Sequence, residues 1–335
     1  MSEARVTAGM ADTIPAVAGD KSPGRSGRAV KAARPVRPSG RRKRLELLLL
    51  LTPATLLFAG FVLAPIALAA YYSFYNWDGY GPLTSAGLSN YTSAITGSNF
   101  QHSVLHNLII VGLSLVIQLP LSIGLAMLLN RNIKGRAFLR LVVFAPYVLS
   151  EAITAVVWYQ LLQPNGFVDQ VLISLGLGIQ VHRWLASPSL VLYTLFVVIT
   201  WKYIGFGIIL LLAGLQGVPS ELREVAALDG ASSWQVTRHI VLPLLGPTIR
   251  IWIFLSVIGS LQLFDLVWIM TGGGPAEASN TMATYIYNFG IQKQQYGFAS
   301  AVAVILFVIC FAFALAYQRF VLRRDTEGAL TRVVG

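Results

Sequence analysis

The sequence predicts an all-α, polytopic membrane protein: six transmembrane helices, with a cytoplasmic helix–turn–helix between the fourth and fifth. Three observations predict it. Of 335 residues, 55% are hydrophobic and only 12% charged, with a mean hydropathy of +0.66, a balance that suits lipid rather than a soluble core. Six apolar runs, at 46–74, 103–129, 138–162, 189–216, 247–271 and 298–321, each approach or exceed the roughly 20 residues that cross a bilayer. The 25 Lys and Arg alternate between the intervals: all but Arg183, Lys202 and Lys293 lie in the amino-terminal tail, the 130–140 and 217–250 connections, or the carboxyl end. The positive-inside rule then places both termini and the Pro219–Pro243 loop in the cytoplasm.

Residues 1–44 are rich in Arg, Lys, Pro, Gly, Ser and Ala and have no apolar period. They read as a disordered basic cytoplasmic tail ending in Arg41-Arg42-Lys43-Arg44, which suits an anchor beside a membrane span. A nucleic-acid arm is the other reading. Ala67-Leu68-Ala69 resembles a signal-peptide cleavage site, but the basic lead and the apolar run are both too long for one. Residues 45–322 form the six-span domain, and 323–335 read as a cytoplasmic tail.

The intervals on the other side, about 75–102, 163–188 and 272–297, carry Asn, Gly, Ser and aromatics. Tyr75, Trp77, Trp158, Tyr159 and Trp268 fall near the outer ends of spans, where amphipathic rings prefer the headgroup level. Gly272-Gly273-Gly274-Pro275 reads as a turn, with a phosphate cradle as its rival. Glu151, Lys202 and Asp265 sit in or close to apolar spans, where a charge needs a partner or water. An internal ion pair of Lys202 with Asp265 or Glu151 is one reading; a polar cavity lining is the other. The single cysteine, Cys310, excludes a disulfide within the chain. His102, His106, His182 and His239 are scattered without metal-ligand spacing. No G-x-x-x-x-G-K-[ST] occurs, so nucleotide binding by a P-loop is excluded. No Ser/His/Asp or paired-carboxylate grouping points to catalysis.

The loop Pro219–Pro243 lies in 217–246, the longest interval between spans. Ser220 is placed to cap a helix, with Glu221 and Glu224 in its first turns at the positive end of the dipole. Val225, Ala226, Ala227 and Leu228 continue it. Asp229-Gly230 ends it, because glycine accepts the left-handed conformation. Ser232 and Gln235 form a capping-box pattern for a second helix, which Pro243 limits.

Glu224-Val225-Ala226, then Gly230 after three residues, Ile240 after nine more and Leu242-Pro243 after one resemble the EAA-x3-G-x9-I-x-LP loop of permease subunits of binding-protein-dependent ABC importers. Val225 stands where that family usually has Ala. Phe264-Asp265, Thr271-Gly272-Gly273-Gly274-Pro275 and Gly87-Leu88-Ser89-Asn90-Tyr91 resemble the maltose-type carbohydrate branch. The resemblance covers about residues 45–322.

It implies a bacterial cell-membrane permease subunit that moves a mono- or oligosaccharide inward by alternating access. It implies as partners a second homologous permease, two cytoplasmic ATPase subunits that bring ATP and Mg, and an extracytoplasmic solute-binding protein. The chain itself is then no enzyme and holds no cofactor. Glu221, Glu224, Ala226, Asp229, Gly230, Ile240, Leu242 and Pro243 would couple to the ATPase. The family takes its substrate contacts from the fourth and fifth spans. In the fourth, Trp201, Lys202, Tyr203 and Phe206 cluster at mid-depth. In the fifth, Ser256, Ser260 and Leu263 fall on one i, i+4, i+7 stripe near Gln262 and Asp265. Aromatic faces with hydrogen-bonding side chains suit a neutral, polyhydroxylated solute. The same small and aromatic residues also serve helix packing. Two other readings remain: an ion-coupled secondary transporter using Glu151, Lys202 and Asp265 as a relay, and an ABC permease for a non-sugar solute.

Overall fold

The structure, a computed structural model, describes residues 40–177 and 183–322, with side chains from Leu45 onward. Most of the basic tail, the 323–335 tail and His182 lie outside the described residues. The chain divides into two units between Leu56 and Leu57. A helix already begins at Gly40, inside the stretch expected to be disordered, and runs through a π-turn at Ala59–Leu63. Its apolar length, α1, is Leu45–Tyr72, and nothing in the most apolar part of it is buried.

In the second unit a short hairpin follows, β1 Tyr75–Asn76 antiparallel to β2 Thr84–Ser85. Backbone N–H groups of Tyr80 and Gly81 donate to Asp78 at its turn, which holds that carboxyl below its usual range. Next come α2 Ser89–Thr96, α3 Ser98–Asn130, α4 Arg136–Val148 and α5 Glu151–Leu161, α6 Phe167–Ser174 and α7 Val191–Gln216. The loop supplies α8 Ser220–Leu228 and α9 Ser233–Leu244. The chain returns as α10 Gly246–Leu261, α11 Asp265–Thr271 and α12 Met282–Tyr287, and finishes in α13 Tyr296–Leu322.

Four of these helices are long and apolar enough to span alone: α1, α3, α7 and α13. The other two spans are bent. The third, expected to be continuous over 138–162, is broken between α4 and α5 by 100°. Pro146, in the last turn of α4, lacks an N–H, and Leu149 and Ser150 turn extended before the Ser150 hydroxyl accepts from Ile153 N to start α5. The fifth, expected over 247–271, ends its main helix at Leu261 and restarts at Asp265. Its other end meets α9 at a 65° bend.

Helix α7 is the axis of the second unit: α4, the second half of α3 and α10 all pack on it. Gly205 makes the α4 contact possible, since a Cβ there would meet the Val143 carbonyl at 2.6 Å. Two apolar clusters share α7. One joins Val191–Ile199 to α3, α5 and α11, and the other joins Ile208–Leu215 to Ala126, Leu129, Val241 and Leu245. A third cluster packs Phe100, Leu261, Met282 and Val302.

The hairpin end is tied by the residues that resembled the carbohydrate branch. Asn90 is buried and donates to the carbonyls of Ser73 and Tyr75, each at 3.0 Å, while Tyr91 meets the Ser73 hydroxyl at 2.6 Å. The Gly272–Pro275 segment is a turn, as expected. Gly273 has φ +89°, and a Cβ on it would lie 1.9 Å from Asn280 Oδ1. All three glycine N–H groups donate internally, to Trp268 O, Thr271 Oγ1 and Thr271 O. None is left for an anion, so the phosphate-cradle reading falls.

Candidate functional site

Two places collect the expected residues. The first is a cavity of about 220 Å³ at the waist of α7, between its two apolar clusters. Tyr203 and Phe206 of α7 line it, with Ser256, Gly259, Ser260 and Leu263 from the fifth span. The stripe read from the sequence thus faces one space. Sequence reasoning did not single out the other polar and aromatic wall residues, Ser114 and Gln118 of α3, Tyr147 of α4, and Trp252, nor the aliphatic Ile110, Ile199 and Leu255. The Tyr147 and Phe206 rings stack at 5.3 Å with 28° between planes. The walls thus offer aromatic faces, hydroxyls and one amide, and no lining side chain carries a charge.

The other four expected residues lie elsewhere. Trp201 packs edge-on against Trp158. Gln262 and Asp265 are exposed at the fifth-span break. Lys202 neither lines the cavity nor forms the expected ion pair. It is only 3% exposed, and its ammonium donates to the carbonyls of Pro146 and Tyr147, at 3.1 and 3.0 Å, and to that of Leu149. These carbonyls end α4 and have lost their helical donors. A cation suits that negative helix end. Gly205, three residues on, lets α4 lie close enough for Lys202 to reach. Glu151 begins α5, accepts from the Tyr203 hydroxyl and is the carboxylate that acts electrostatically on Lys202.

The second break is held in the same manner. Asn107 of α3, wholly buried, donates to the carbonyls of Ser260 at 2.6 Å and Leu261 at 3.4 Å. Its Oδ1 accepts from Met282 N at 2.9 Å, the first residue of α12. Thr281 Oγ1 donates to Leu263 O at 2.7 Å. Hydrocarbon offers no water to freed backbone groups, so a break in a span persists only where the protein supplies partners. A lone Asn in the apolar run 103–129 was the available signal for this clamp.

The second place is the loop. Helix α8 buries none of its residues, and Leu222, Val225 and Leu228 are 44%, 56% and 87% exposed. Its cap differs from expectation: Pro219 holds the N-cap position and Ser220 is already helical, with no side-chain cap bond. The sequence Pro-Ser places the fixed φ of proline just before the helix. The other end is as read. Gly230 has φ +79°, Gly230 N donates to Ala227 O at 3.1 Å, and Ala231 N donates to Ala226 O at 2.9 Å, the paired bonds of a Schellman stop. Ser232 and Gln235 form the reciprocal capping box, at 3.3 and 2.7 Å. Glu221, Glu224 and Asp229 are exposed. Ile240, Leu242 and Pro243 carry α9 through a π-turn at Thr237–Val241 to its end at Leu244.

Comparison with known proteins matches this architecture. The family described as binding-protein-dependent transport system inner membrane component covers residues 118–325. The multiple sugar-binding transport system permease protein MsmF of Streptococcus mutans is 33% identical over 246 residues, 73% of this chain and 84% of that protein. The trehalose/maltose transport system permease protein MalF of Thermococcus litoralis is 30% identical over 233 residues, 70% of this chain and 78% of that one. A crystal structure of a bacterial ABC transporter involved in the import of the acidic polysaccharide alginate superposes with a TM-score of 0.71 at 26% identity, covering 84% of this chain and 97% of its own. The broken spans, the exposed helical loop and these likenesses agree: the chain belongs to the family of inner membrane components of binding-protein-dependent transport systems.

Proposed function

We propose that this chain is the membrane-spanning subunit of an ATP-driven importer that carries a neutral carbohydrate inward by alternating access. The observation that carries the reading is the cavity: stacked Tyr147 and Phe206, with Tyr203, Ser256, Ser260 and Gln118 around them and no charged wall. A pyranose presents apolar C–H faces to rings and hydroxyls to a polar rim, and a preformed cavity with a few placed polar groups suits it. Relatives named for sugar transport support the solute class. Broken spans bordering a mid-membrane site are a recurrent transporter arrangement. The ion-coupled reading needs Lys202 in a relay, and its ammonium is occupied by three carbonyls.

The complex would contain a second permease, two ATPase subunits carrying ATP and Mg, and an extracytoplasmic solute-binding protein. In proteoliposomes holding that complex, with labelled maltose and trehalose as probes, Phe206→Ala is expected to raise the apparent KM about tenfold, the loss of roughly one aromatic contact. Unchanged uptake would remove the cavity from the path.

The orientation follows from the basic loops. Reporter fusions after Lys134 and after Gly335 are expected to read cytoplasmic, and one after Gly273 external. An external reading at Lys134 overturns it.

A further inference from the structure

Tyr147 holds its cavity position at the end of a helix that has nothing of its own to hold it there. It lies in the last turn of α4, one residue from the end and two before the extended Leu149. Pro146 beside it cannot donate. The free carbonyls of Pro146, Tyr147 and Leu149 converge on one atom, Lys202 Nζ. An ammonium has three N–H bonds and no acceptor, so three carbonyls exhaust it. The same turn of α7 carries Tyr203 and, four residues after the lysine, Phe206, which stacks on Tyr147. One helical turn therefore supplies two rings of the cavity and the clamp that sets a third. Glu151, at the first position across the break, takes the Tyr203 hydroxyl, so both sides of the third-span break are tied to that turn.

We infer that Lys202 is a positioning residue for transport: it touches no solute, and by holding the end of α4 it places the Tyr147 ring against Phe206. This rests on the cavity being the solute path, and the test separates the two. In the assembled complex, with Cys310→Ala to remove the only native thiol of this chain, Tyr147→Cys provides a reporter whose modification rate by a charged methanethiosulfonate reagent is read on this chain after its separation from the partners. Adding Lys202→Met is expected to change that rate tenfold or more. With Tyr147 restored, Lys202→Met is expected to raise the KM for maltose or trehalose uptake by a larger factor than it lowers the maximal rate. Lys202→Arg, which keeps charged donors, is expected to recover part of both. Where Lys202→Met does not assemble, Lys202→Gln, which keeps two donors on a shorter stem, takes its place with the same expectation. A labelling rate and KM that stay unchanged in the variant that assembles overturn the proposal and leave Lys202 a stability element only. Sugar that fails to slow labelling of the introduced thiol, while the lysine variant still shifts its rate, overturns the cavity reading and leaves the positioning role standing.

Discussion

Glu224→Lys and Gly230→Val are each expected to leave the chain in the membrane and to abolish ATP-driven uptake. Helix α8 has little packing to lose, because none of its residues is fully buried. A stable loop that exposes Leu222, Val225 and Leu228 beside an exposed Glu224 presents an apolar ridge with a charge, the makings of a surface that a partner covers. Removing one member of a buried charge pair at an interface costs about 2–5 kcal/mol, and reversing the charge adds repulsion. Gly230→Val acts by another route. No atom lies within 4 Å of a Cβ placed there, so space is not the obstacle. The backbone at φ +79° is, since a β-branched residue resists that conformation. The Schellman bonds then break and the two helices change their angle. The measurement is ATPase subunits retained on washed membranes, together with uptake. Full transport and full retention in Glu224→Lys would remove the loop from the coupling path.

Asn107→Leu is expected to give a large loss of stability for a single change in the membrane core. It keeps the volume and removes both amide donors and the acceptor, leaving buried groups at the ends of α10 and α12 without partners. Buried groups left unpaired cost about 1–3 kcal/mol each in soluble proteins, and polar contacts between membrane helices measure at the lower end. A total of about 2–4 kcal/mol follows. Gln118→Leu is the comparison, since Gln118 is also buried but faces the cavity. Its apparent Tm by fluorescence-detected size exclusion should fall much less. Equal melting of the two variants would show that Asn107 does not hold the break.

The long apolar runs, the loop and its spacing were legible because each is written locally. Hydropathy needs only length, the capping box needs only Ser232 and Gln235, and the Ser256–Ser260–Leu263 stripe needs only helical period. The breaks were hidden because Leu149 and Leu263 are as apolar as any span residue, and a window average reads straight through them. Pro146, followed by Ser150-Glu151, was a usable stop-and-restart signal that length outweighed. The duty of Lys202 was hidden for another reason. A lysine in a span prompts a search for an opposite charge, whereas its partners are carbonyls, which every residue carries and no sequence marks. The N-cap at Pro219 in place of Ser220 is a one-residue shift of the kind that helix ends commonly show.

That choice of partner has an evolutionary side. Lys202 and Asn107 grip main-chain carbonyls of Pro146, Tyr147, Leu149, Ser260 and Leu261, and a carbonyl survives any substitution at its residue. Tyr147 and Ser260, which line the cavity, are therefore free to change identity while the bends that present them stay put. On the proposed reading of the cavity, a scaffold of this kind would let wall side chains be exchanged without rebuilding the architecture that aims them.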